Sequence, residues 1–143
     1  MSYWDTSALA KIYLQESDST VFRSRAVLDA PLHTAHLTLH ELRTVLLRRE
    51  SEGVIQPGGA ALLFQDFEAD IAAGLILVQT ETPTVQLEFV KVLEQCFLVT
   101  PPVFIRTNDA LHIACARTMQ QRDFITADNR QKAAAAHVGL RVS

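Results

Sequence analysis

Residues 3–9 read YWDTSAL, and residues 124–130 read FITADNR. Both stretches run from a few apolar or β-branched residues into an aspartate, and from the aspartate into helix-forming sequence. In the first, a strand from Met1 to Trp4 closes at Asp5. Asp5, Thr6 and Ser7 then offer helix-capping side chains, and Ala8 to Gln15 continues as a helix. In the second, a strand over Phe124–Thr126 is followed by Asp128 and by a helix over Asn129–His137, whose Ala133–Ala136 run is good helix former. Two strand-to-helix steps, one at each end of the chain, predict a parallel sheet covered by helices on both faces.

The chain between them keeps the alternation. A short helix over Ser19–Leu28 is closed by Pro31, and Leu32–Ala35 reads as a strand. Leu37–Glu52 is a strong helix ended by Gly53, with Leu39, Leu42, Val45, Leu46 and Arg49 on one stripe. After the turn QPGG, Ala60, Leu63, Phe64, Phe67 and Ile71 repeat at helical spacing over Gly59–Ala73. Gly74 ends that helix, and Leu75–Gln79 is a strand. Pro83 suits the first turn of a helix reaching about Leu98. Pro101-Pro102 forces an extended break. Thr107–Met119 is a helix with Leu111, Cys115 and Met119 on one stripe, and Leu140–Val142 is a last strand. The expected architecture is α/β: one domain over residues 1–143, with a mainly parallel central sheet flanked by helices.

Composition bounds the function. The 143 residues suit one domain, and 48% of them are hydrophobic, enough for a substantial core. The net charge of −3 supplies no bulk basic field to attract nucleic acid. Contact with a polyanion must therefore rest on a local basic patch or on metal-bridged phosphates. Cys96 and Cys115 form no C-x-x-C pair, which argues against a disulfide framework or a cysteine zinc site and predicts two core thiols in a reducing compartment. No basic region precedes a long apolar stretch at the start, and no apolar run spans a bilayer, so a cytoplasmic protein with no membrane partner is expected.

Four acids fall where such a fold would gather them: Asp5, Glu41, Asp109 and Asp128. In open α/β sheets ligands collect beyond the carboxyl ends of the strands. Asp5 and Asp128 each follow a strand, Asp109 opens a helix, and Glu41 lies near the start of a helix beside its apolar face. Each could be a simple cap or first-turn residue; their combination carries the signal. A cage of hard oxygen ligands selects Mg²⁺ or Mn²⁺ over zinc and suits metal-assisted phosphodiester hydrolysis. Packed carboxylates would repel one another and hold their protons more tightly. Thr6, Ser7 and Thr126 can fix carboxylate rotamers. Ser7 lacks a histidine placed to make it a nucleophile.

The segments YWDTSALAKIY, TLHELRTVLLRR, RTNDALHIACA and FITADNRQKAA resemble, in order and spacing, the four acidic motifs of PIN-domain proteins. The resemblance runs from about Tyr3 to the C-terminus. DALHIA followed by FITAD is its specific part. Within that family the chain resembles the compact VapC toxins of VapBC toxin–antitoxin pairs. The resemblance implies a metal-dependent endoribonuclease acting on RNA, a homodimer, and inhibition by a small antitoxin protein. It places Asp5, Glu41, Asp109 and Asp128 as catalytic and metal-binding residues, with Ser7 and Thr126 in support.

Other features point elsewhere. His36 and His40, four residues apart, could share a transition metal, but the zincin pattern needs Glu where Leu37 stands. His112 could orient Asp109, although a satisfied core histidine is the plainer expectation. Of the scattered basic residues, Arg106 and Arg130 each neighbour a candidate acid and are the candidates for phosphate contact. The apolar residues of Gly59–Ala73 and Val85–Leu98 belong to the core by default, and any exposed remainder suits a dimer or antitoxin surface. A non-catalytic PIN-like module that binds RNA or protein is the main rival. Aspartyl-phosphate chemistry is disfavoured because Ser7 stands where a second aspartate would be needed.

Overall fold

A computed structural model describes residues 1–143. In chain order the elements are β1 (Ser2–Trp4), α1 (Thr6–Tyr13), α2 (Ser19–Asp29), β2 (Leu32–Ala35), α3 (Leu37–Ser51) and α4 (Gly59–Ala72). They continue with β3 (Ile76–Gln79), α5 (Pro83–Phe97), α6 (Thr107–Thr118), β4 (Asp123–Ile125), α7 (Asn129–His137) and β5 (Arg141–Val142). All five strands are parallel, in the order β3-β2-β1-β4-β5. The chain first builds outward from β1 to β2 and β3. It then crosses back to lay β4 on the other side of β1. That reversal makes the gap beyond the carboxyl ends of β1 and β4 the topological switch point, where an open α/β sheet leaves a crevice for ligands.

Strand alternation divides the core into two layers. Tyr3 and Phe124 face one side, packed with Val85, Val92 and Cys96 of α5, with the alanines and Ile113 of α6, and with Ala134 and Ala135 of α7. Trp4 and Ile125 face the other, packed with Leu9 of α1, Leu42 and Leu46 of α3, and Phe64 and Phe67 of α4. Neighbouring strand residues thus serve opposite cores, as a pleat of period two requires. Tyr3 stacks on Phe124 across the β1–β4 pair, with ring centroids 5.3 Å apart.

The sequence-based elements match with small shifts. Helix α1 begins at Thr6, two residues before the expected Ala8, because Asp5 caps it by accepting from the Ala8 N–H at 3.0 Å. It stops at Tyr13, since Leu14 is already extended. On α6 the expected stripe of Leu111, Cys115 and Met119 was too narrow. Ala110, His112, Ile113, Ala114, Cys115 and Ala116 are all buried, because small side chains let the helix sink between α5 and the sheet. No helix is long and apolar enough to cross a membrane.

Both cysteines are buried and unpaired. Burial, and then the nearby Glu81 carboxylate, pushes the Cys115 thiol up to about 12. Burial alone pushes Cys96 up. At pH 8 the Cys115 thiolate fraction is then only about 10⁻⁴. Ellman's reagent is expected to label neither thiol in the native protein within minutes, and both after denaturation. Rapid native labelling of Cys115 would contradict this packing.

Candidate functional site

Asp5 is the residue directly after β1, and its N–H donates to the Ile125 carbonyl of β4 at 3.1 Å. The sheet ladder therefore fixes this aspartate at the switch point. Its Oδ1 accepts from the Ser7 hydroxyl at 2.7 Å and from the Ala8 N–H. Ser7 in turn lies 3.1 Å from the Thr126 hydroxyl and accepts from the Ala127 N–H at 2.9 Å. Thr126 accepts from the Asp128 N–H at 3.0 Å. These hydroxyls sew the turn after β1 to the turn after β4. The hydrogen-bond partners of the Ser7 hydroxyl are Asp5, Thr126 and the Ala127 N–H.

Asp128 caps α7, its Oδ1 accepting from the Arg130 N–H at 2.8 Å and the Gln131 N–H at 3.4 Å. Asp109 stands in the first turn of α6, one turn after Arg106 at the cap position. The remaining oxygens of these two aspartates share one guanidinium. Arg106 Nε donates to Asp109 Oδ2 at 2.8 Å, and Nη2 donates to Asp128 Oδ2 at 3.2 Å. Buried Gln131 also ties α7 to α6, its Nε2 donating to the Asp109 carbonyl at 3.0 Å.

Glu41 projects from α3, one turn past the helix start, toward the same rim. Its Oε1 accepts from Thr6 at 2.8 Å and pairs with His112 Nε2 at 2.6 Å, and its Oε2 accepts from Asn108 at 3.3 Å. His112 is 2% exposed, and its Nδ1 lies 2.7 Å from the Tyr3 hydroxyl. The two ring nitrogens of His112 therefore bridge the Glu41 carboxylate and the Tyr3 hydroxyl. His112 is thus a buried, partnered histidine as expected, but it orients Glu41 rather than Asp109. Tyr3, Thr38 and Asn108 were not singled out from the sequence. Thr38 joins the network through Thr6 and Thr34, at 3.4 and 2.7 Å. An apolar-flanked tyrosine on a strand and a threonine within a helix carry no signal of their own.

The electrostatics differ from simple repulsion among four acids. Burial pushes the Asp5 carboxyl up, against the lowering effects of His112, Thr126, Ala8 and Ser7. Burial also pushes Glu41 up, but His112, Thr6 and Asn108 more than offset it and hold Glu41 below the usual carboxylate range. Desolvation rather than neighbouring carboxylates governs Asp5.

A cleft of about 360 Å³ opens over Glu41, Arg106, Thr107, Asn108 and Asp109, with no apolar residue in its wall. The donor set there is hard oxygen, and Asp109 in its wall already shares the cationic Arg106 with Asp128 beyond it, so its chemistry fits a hard divalent cation. No three His, Cys, Asp or Glu side chains converge on one metal-sized point; Glu41 turns to His112, while Asp109 and Asp128 turn to Arg106. The rings of His36 and His40 meet edge to face, with centroids 5.3 Å apart. The Arg130 side chain is exposed beside Asp128. Of the other basic residues, Arg49 pairs with Glu16 and Glu52, and Arg43 stacks over Phe64.

A sequence model of the family described as "PIN domain" matches residues 2–137. No curated protein matches the sequence. Among solved structures, a toxin-antitoxin complex from Klebsiella pneumoniae is similar over 100% of this chain and 96% of that chain, with a TM-score of 0.64 and 12% sequence identity. At that identity the likeness concerns the fold.

Proposed function

The chain belongs to the PIN-domain family, and we propose that it is a Mg²⁺- or Mn²⁺-dependent endoribonuclease, the toxin of a type II toxin–antitoxin pair. The observation that carries the reading is the junction of β1 and β4. There one set of hydroxyls binds the Asp5 and Asp128 turns together, at the point where an α/β sheet offers a crevice. Asp5, Glu41, Asp109 and Asp128 would hold the cation. When bound it would supply Lewis-acid polarisation of the phosphate and a water acidic enough to attack phosphorus.

The protein's own residues set the stage for that step. Ser7, Thr126 and the start of α1 hold the buried Asp5 in one rotamer. His112, Thr6 and Asn108 hold Glu41 ionised and aimed at the cleft. Arg106, which bridges Asp109 and Asp128, and the exposed Arg130, two residues after Asp128, would meet a phosphodiester beside the acids and give an acidic protein a local hold on a polyanion. The exposed apolar residues Leu87, Val90 and Phe97 of α5 and Leu62 of α4 suit a homodimer contact and an antitoxin surface. The structural neighbour being a toxin-antitoxin complex supports an antitoxin partner.

Purified protein is expected to cleave RNA with Mg²⁺ or Mn²⁺ and to stop when EDTA is added. A folded protein that cuts no RNA and binds no divalent ion at millimolar concentration would instead be the non-catalytic binding module.

A further inference from the structure

We propose that Arg106 is a built-in counter-ion that competes with the divalent cation for Asp109 and Asp128, and that cation binding displaces its guanidinium. The inference rests on the acidic-site reading above and assigns this chain a regulatory contact within that site. Arg106 occupies the cap position of α6 but makes no capping bond. Its side chain folds back over the first turn to reach Asp109 three residues on, and it spans to Asp128 at the start of α7.

A cation is favoured there by Asp109 and Asp128 and, at longer range, by Glu41, and disfavoured by the helix ends. Helix N-termini carry positive partial charge, and Arg106 sits at one while reaching toward another. The Arg106 side chain is 51% exposed and has no other hydrogen-bond partner. On Asp128 it takes Oδ2, the oxygen that the α7 cap leaves free, and on Asp109 it takes Oδ2, so an arriving cation that uses either of these oxygens must displace it.

The two interactions are partly exposed, which limits their combined penalty on an incoming cation to roughly tenfold in affinity. Once released, the guanidinium stays tethered beside the acids, within reach of a phosphate, and a planar donor fork suits that ligand. The same side chain would thus lower metal occupancy in the free protein and contribute to the substrate complex.

The decisive measurement is calorimetric titration of Mn²⁺ into the full chain without RNA, comparing wild type, Arg106→Gln and Arg106→Lys. Arg106→Gln is expected to bind Mn²⁺ about tenfold more tightly. Arg106→Lys keeps a charge but loses the fork that spans both acids, and should fall between the two. Unchanged or weaker binding in Arg106→Gln, with measurable binding in the wild type, would overturn the counter-ion role and leave the metal site standing. Absence of Mn²⁺ binding in all three folded proteins would overturn the metal site, and the competition with it.

Discussion

Asp5→Asn is expected to lower metal-dependent RNA cleavage by on the order of 10³-fold while leaving the fold as stable as before, or more so. The two halves of this result have one cause. Asp5 is 5% exposed, and burial pushes its carboxyl up, so the folded protein resists the ionised form that a metal ligand must adopt. Asparagine keeps the carbonyl-type oxygen that accepts from Ser7 and Ala8, and it carries no charge to desolvate. The cap on α1 therefore survives while the ligand loses its charge. A residue that works against stability is characteristic of a site kept for function. Cleavage assays and thermal melts of the same preparation check it. Wild-type cleavage rates would remove Asp5 from the chemistry, and a collapsed fold would mean its role is structural. Asp109→Asn should lose activity similarly, but there the Arg106 ion pair is lost as well.

Much of this arrangement was legible in the residues themselves. The strands β1 and β4 announce themselves by apolar runs that end in an aspartate, and the order of the chain places both aspartates on one rim. The caps at Asp5 and Asp128 are local chemistry, which sequence records well. Harder to read was anything decided by three-dimensional convergence. The helix α6 carries its acid, its histidine and its alanines in one motif. Sequence spacing offered Asp109, its neighbour one turn away, as a partner for His112 beside the plainer expectation of a satisfied core histidine. In the fold the ring points past that turn to Glu41, 71 residues distant along the chain. Tyr3, one of the core aromatics, supplies the other half of the histidine's hydrogen bonding. Arg106 was legible as a basic residue next to an acid. Its span from α6 to α7 depends on how closely those two helices start, which no periodicity encodes. The expected mutual repulsion of the acids is not what sets Asp5 and Glu41: burial raises Asp5, and Glu41, against its own burial, is lowered by His112 and Asn108 of the α6 motif and Thr6 of α1, contacts that only the folded chain brings together.

The histidine network yields the second large effect. His112→Phe keeps the ring volume but removes both ring nitrogens. Tyr3 is fully buried, so its hydroxyl would be left with no acceptor from this side, at a cost of about 1–3 kcal/mol. Glu41 is 28% exposed in its side chain and keeps Thr6 and Asn108, so water can replace the lost donor at little cost to stability. Its aim is another matter, because the 2.6 Å contact with His112 is the shortest of its three contacts. Loss of a group that orients a metal ligand lowers activity by roughly 10- to 100-fold. The double variant Tyr3→Phe/His112→Phe separates these two consequences. With both polar partners replaced by apolar rings, the orphaned hydroxyl disappears, and most of the lost stability should return. Activity should not return, since Glu41 is still without its imidazole. Denaturant unfolding and cleavage rates of the two single variants and the double variant complete the cycle. Recovery of both quantities together would make His112 a packing residue only, and the orientation of Glu41 would then rest on Thr6 and Asn108.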